Sequence, residues 1–211
     1  MLNSLGNSIE NVLEFSLPMV ILSVIIAVSL RIADIIKNKR KIVLYKEVLA
    51  LFFMIYILCL FQVVTFQDTT SVTGNNLIPF KEIFRYSLGR RLFIKNVLGN
   101  VVMFIPYGFF CSYILKETRY LPILVLTLIA SVSIETTQLM IGRVFDIDDI
   151  ILNLIGGIVG FLIYIGLDAI RNKVKLFRND TVLDILIIII LVLVIIYSFN
   201  VNIFGMIGGV I

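Results

Sequence analysis

The chain has 211 residues, 60% of them hydrophobic and 15% charged, and its long apolar runs exclude a soluble globular domain in favour of an integral membrane protein. It is basic, with 18 Lys plus Arg against 14 Asp plus Glu. The basic residues fall mostly between the apolar runs, which points to lipid headgroups and membrane topology and away from nucleic acid. The chain has no histidine, which removes Ser-His triads, His-ligated zinc and His-dependent lipid phosphatase sites.

Six runs are predicted to cross the hydrocarbon core as helices, which takes about 20 residues each. They lie near 13–36, 46–66, 96–115, 121–141, 149–170 and 182–199. The fold class is all-α, a single polytopic membrane domain over 1–211. The start of the chain offers Glu10 and Glu14 where a cleaved signal peptide has basic residues, so the first run is read as a retained helix. Cys59 and Cys111 sit inside apolar runs and are expected to be buried free thiols. The tail 200–211 is apolar but short.

Between the second and third runs lies the one long loop, 67–95. Gly74-Asn75-Asn76 is turn chemistry. Pro79 opens a short helix with Phe80, Ile83 and Phe84 on one face and Lys81, Glu82 and Arg85 on the other, the pattern of a helix lying at an interface. The third run carries Asn96, Gly99, Asn100, Met103 and Tyr107 at helical spacing, with Pro106 as a candidate kink.

The fourth run carries Ser131, Glu135 and Gln138 on one side. Glu135 lies about 9 Å below the end of its span at 1.5 Å per residue. A carboxylate at that depth needs a cation, a donor or water. Arg143 follows on nearly the same side and is the expected partner. On the fifth run Asp146, Asp149, Asn153, Gly156 and Gly160 are spaced by three and four and share a face. Its glycines form a seat for a close helix neighbour, either within the chain or in a homodimer.

Basic residues set the expected orientation. Arg31, Lys37, Lys39, Arg40, Lys41, Lys46, Lys116, Arg119, Arg171, Lys173, Lys175 and Arg178 fall at one end. Lys81, Arg85, Arg90, Arg91, Lys95 and Arg143 fall at the other. The richer end is expected in the cytoplasm, with both termini and the polar cluster outside.

Two readings of that cluster compete. In one, the polar groups satisfy each other and lock the third, fourth and fifth spans. In the other, they line a water-filled recess that faces outward. Arg85, Arg90, Arg91 and Arg143 suit phosphate or carboxylate, while Glu135, Asp146, Asp148 and Asp149 suit amines or sugar hydroxyls. Asp146-Ile147-Asp148-Asp149 is too short to count as a metal motif, so no metal or cofactor is expected.

NLIPF at 76–80, NVLGNVVMFIPYGFF at 96–110, SIETTQLMIGRVFDIDDIILNLIGG at 133–157 and the following Gly160 resemble, in order, the VanZ-like family of bacterial membrane proteins. The motif-bearing core is 76–160. The resemblance implies a bacterial cell-membrane location and an association with resistance to teicoplanin-type glycopeptides, which act outside the membrane on peptidoglycan precursors. The family's polar positions match Asn96, Asn100, Pro106, Glu135, Gln138, Arg143, Asp146, Asp149 and Asn153 here. The expected partners are membrane lipids and a lipid-linked cell-wall precursor or glycopeptide-like ligand. That ligand would be held by Arg143, Asp146, Asp149, Glu135, Gln138, Asn96, Asn100, Asn153, Arg85 and Arg91 without catalysis. The alternatives are a metal-assisted enzyme acting on a lipid phosphate, which lacks an evident nucleophile, and a small-lipid flippase, which lacks an internal repeat.

Overall fold

The computed structural model of the chain describes residues 2–66, 75–85 and 97–191, and the side chains of 17–62, 75–81, 83–84 and 97–191. The described residues are helical apart from short connections. Helix α1 (Leu2–Asn38) is followed by α2 (Leu44–Phe66), the five-residue α3 (Lys81–Arg85) and α4 (Gly99–Leu115). Then come α5 (Tyr120–Met140), α6 (Ile147–Lys173), a 3₁₀ turn at Lys175–Arg178 and a helix α7, described over 180–191.

Six spans were expected, and four helices among the described residues are long and apolar enough to cross a membrane: Leu17–Asn38, Leu44–Gln62, Tyr120–Met140 and Ile147–Lys173. Over the third expected span, 96–115, the chain is helical from 97, with residues 97–98 in π form and α4 itself of 17 residues, and residue 96 lies outside the described residues. Of the sixth, 182–199, only the first part lies within the described residues. Cys59 and Cys111 are free, and both are half-buried rather than fully buried.

The centre of the fold is the contact of α6 with α4 and α5, and glycine makes it possible. A Cβ on Gly156 would run into the carbonyl of Val101 and the Cβ of Phe104; one on Gly160 would meet the Ile105 carbonyl and the Phe109 N–H. From the other side, a Cβ on Gly108 would strike the Gly157 backbone, and one on Gly157 would strike the Thr127 side chain. Neighbouring backbones fill the space where side chains would stand, which is how helices gain contact in lipid without a hydrophobic driving force. The face expected to serve either a neighbour or a second copy is therefore occupied by α4 of the same chain. The hydroxyls nearby satisfy themselves locally: Ser112 donates to the Gly108 carbonyl at 2.6 Å and Thr127 to the Ile123 carbonyl at 2.7 Å.

Pro106 lies inside α4 and removes the donor that would serve the Val102 carbonyl. One residue along, the Met103 carbonyl accepts from the Tyr56 hydroxyl of α2 at 2.7 Å, which joins α2 to this weakened turn. Helix α1 is more peripheral. None of its spanning stretch is buried inside the protein, and its Arg31 holds Glu47 of α2 with two bonds of 2.8 and 2.7 Å.

Alternation of the helices gives the molecule two polar ends. At one, Tyr45 and Lys46 of α2 meet Arg171 of α6 and Asp180 and Asp184 of α7. The Tyr45 N–H donates to Asp184 at 2.8 Å, the Tyr45 hydroxyl to Asp180 at 2.9 Å, and Lys46 pairs with Asp180 at 3.1 Å. Arg171 reaches the Tyr45 hydroxyl at 3.3 Å and Asp180 at 3.4 Å. This is the basic end. At the other, which we call the loop end, the segment 75–85 folds over the start of α6.

Candidate functional site

The polar cluster sits at the loop end and is assembled from α4, α5, α6 and residues 75–83. Its framework is a pairing of backbones 70 positions apart in sequence. The Asn76 N–H donates to the Phe145 carbonyl at 2.9 Å and the Ile147 N–H to the Asn76 carbonyl at 3.0 Å, an isolated parallel bridge between Asn76 and Asp146. Asn75 Oδ1 accepts from the Phe145 N–H at 3.2 Å. Gly142, with φ of 84°, turns the chain out of α5 towards this pairing in a left-handed conformation that glycine adopts without steric cost.

Asp146 caps α6. Its extended backbone (φ −127°) lets Oδ1 accept from the Asp148 N–H at 2.9 Å, and the same oxygen accepts from the Asn76 amide at 2.8 Å. A carboxylate at a helix N-terminus meets the positive end of the helix dipole. Asp148 is fully buried and turns back onto the loop. Its carboxylate accepts from the N–H groups of Phe80 and, at 3.2 Å, Ile83. Phe80 there has a φ of 66°, uncommon for an aromatic residue.

Glu135 is buried on α5. Its Oε2 accepts from the Asp146 N–H at 2.9 Å. The Gln138 amide is oriented by its neighbours, a carboxylate on one side and a guanidinium on the other. Its nitrogen donates to Glu135 Oε1 at 3.1 Å and its oxygen accepts from Arg143 NH1 at 2.9 Å. Gln138 thus links Arg143 to Glu135. On the α6 face, Asn100 of α4 donates to Asp149, and Asn153 one turn further donates to Ser131 Oγ of α5 at 2.9 Å. Asn153 Oδ1 is buried and has no hydrogen-bond partner among the described residues.

Seven of the ten expected site residues therefore converge at one place: Asn100, Glu135, Gln138, Arg143, Asp146, Asp149 and Asn153. Glu135, Gln138 and Asn153 are buried; Asn100, Arg143, Asp146 and Asp149 are half-buried around them. Asn96 and Arg91 lie outside the described residues. Arg85 ends α3, and its side chain lies outside them too. Reasoning from spacing missed Asn76 as a partner of Asp146 and missed the capping by Asp148. The turn signal at 74–76 and the off-stripe position of Asp148 were the available hints. No group of three or more His, Cys, Asp or Glu among the described residues is arranged to hold a metal ion.

Comparison with known proteins places the chain in a family. The family model described as VanZ/LLP1 matches residues 48–171, from α2 to the end of α6. The Protein VanZ of Enterococcus faecium is 32% identical over 115 residues. That alignment covers 54% of this chain and 66%, just under two thirds, of the relative. No solved structure matches. With four helices able to span a bilayer and a family match over more than half its length, the chain is a multi-pass membrane protein belonging to the VanZ/LLP1 family.

Proposed function

We propose that the chain is a non-catalytic envelope protein that binds an amphiphilic ligand at the loop end, of the class of a lipid-linked cell-wall precursor, and contributes to teicoplanin-type glycopeptide resistance. The loop end faces outward in this reading, because the twelve basic residues of the other end belong on the cytoplasmic side. One observation carries the binding reading. Half-buried Arg143, Asp146, Asp149 and Asn100 surround buried Glu135, Gln138 and Asn153, and the Asn153 carbonyl oxygen lacks a donor among the described residues. A buried acceptor of that kind costs about 1–3 kcal/mol until something donates to it. A hydroxyl or amide of a bound headgroup would do so.

The test is expression in a glycopeptide-susceptible host. Teicoplanin susceptibility falls with the parent chain and returns with Arg143→Ala or Asp149→Asn at unchanged membrane levels. Unchanged susceptibility on expressing the parent chain rejects the resistance part. A second reading, that the cluster is a structural clasp, is favoured by how many of its groups serve backbone N–H donors: Glu135 for Asp146, Asp146 for Asp148, and Asp148 for Phe80 and Ile83. Under that reading the same variants lower the amount of folded protein and do not act selectively on resistance.

A further inference from the structure

The segment 77–84 presents its large apolar side chains away from the protein. Leu77 is 65% exposed, Ile78 63% and Phe84 82%, and Phe80, 48% exposed, lies 6.2 Å from Phe84 between ring centroids. Met140, 82% exposed at the end of α5, and Ile141 just after it add to the same end. In water such a group would leave several hundred Å² of apolar surface hydrated at about 25 cal/mol per Å².

The height of this segment is set by the spans. Asn76 is paired to Asp146, the residue immediately before the spanning helix α6, and Asp148 in the first turn of α6 holds the N–H groups of Phe80 and Ile83. Backbone bonded to the first turn of a spanning helix stands where that helix leaves the hydrocarbon. Exposed apolar side chains also stand at the same end on neighbouring helices: Leu98 and Val102 at the start of α4 and Leu139 at the end of α5. Lys81, exposed among these groups, suits the phosphate level above them, its stem along apolar surface and its ammonium in the headgroups.

We propose that residues 77–84 form a fixed wedge in the headgroup–acyl boundary of the leaflet at the loop end, with Leu77, Ile78 and Phe84 seated in lipid. The occupant of this surface is the bilayer interface itself. The buried Asp148 carboxylate holds the backbone at Phe80 and Ile83, and the half-buried Asp146 carboxylate holds the Asn76 amide. The inference is independent of any ligand in the polar cluster.

The chain has no tryptophan, so Phe84→Trp and, separately, Ile78→Trp each introduce a single fluorophore at an exposed site. The full-length variants are reconstituted into phosphatidylglycerol–phosphatidylcholine vesicles, with and without lipids brominated at shallow or deep acyl positions. The expected result is blue-shifted emission, quenched more by shallow than by deep bromines and little by aqueous acrylamide. Red emission quenched by acrylamide and untouched by bromolipid overturns the wedge. Blue emission insensitive to both quenchers also overturns it, because protein then covers the segment. Either variant suffices if the other fails to insert.

Discussion

Asp148 carries two backbone donors on one side chain, so its removal has a local consequence. Asp148→Ala leaves the Phe80 and Ile83 N–H groups unserved, each worth about 1–3 kcal/mol where water cannot replace the partner. The expected outcome is faster amide exchange at Phe80 and Ile83 with the helices unchanged. Asp148→Asn, which keeps one acceptor oxygen, falls between the two. Gly160 offers a contrasting test. Gly160→Val forces a branched side chain into the Ile105 carbonyl and is expected to lower thermal stability in detergent by about 1–3 kcal/mol or more, while Gly166→Val, where a Cβ meets open space, is expected to be near neutral. At this scale the sequence was only partly legible. The three/four spacing of Asp149, Asn153, Gly156 and Gly160 identified a real face, because helical periodicity is local. Asp146, counted on that face, caps the helix, and Asp148, off the stripe, proved the more buried acid.

Between elements, one carboxylate at the basic end gathers three partners. Asp180, the first residue of α7 and outside the predicted sixth span, accepts from Tyr45 and pairs with Lys46 and Arg171. The Lys46 ammonium above all, then the Tyr45 hydroxyl, hold its carboxyl below the usual aspartate range. A depressed folded value contributes stability that is fully present above the unfolded aspartate pKa and is lost as the pH falls through the folded one. The docking of α7 on α2 should therefore loosen in acid, below the ordinary range near 4. Asp180→Asn should weaken that docking at neutral pH and flatten the acid limb of an unfolding curve. None of this knot was read from the sequence. The acids at the start of the sixth run were visible, but Tyr45 and Lys46 lie more than a hundred positions earlier, and no local pattern reports such a pairing.

For the whole molecule, the alternation of helices fixes which connections share a side. Thr118, before α5, and Ile141, after it, are both exposed and separated by one complete span. In a background lacking Cys59 and Cys111, Thr118→Cys and Ile141→Cys should react with an impermeant maleimide from opposite faces of the membrane. Labelling of both from one face would remove α5 from the set of spans. The spans were legible because lipid requires long apolar helices, a constraint written directly in composition.

The bridge between Asn76 and Asp146 also has a consequence in time. The two strands of that pairing are separated by 70 residues of chain. At about 5–20 residues per second, roughly 4–14 s of synthesis pass between them. Throughout that interval the nascent NLIPF segment has neither its backbone partners nor the carboxylate that later secures Phe80. Closure of the loop end therefore comes after α4 and α5 have been made, and a ribosome halted before Asp146 leaves an unfinished protein with an unanchored greasy flap.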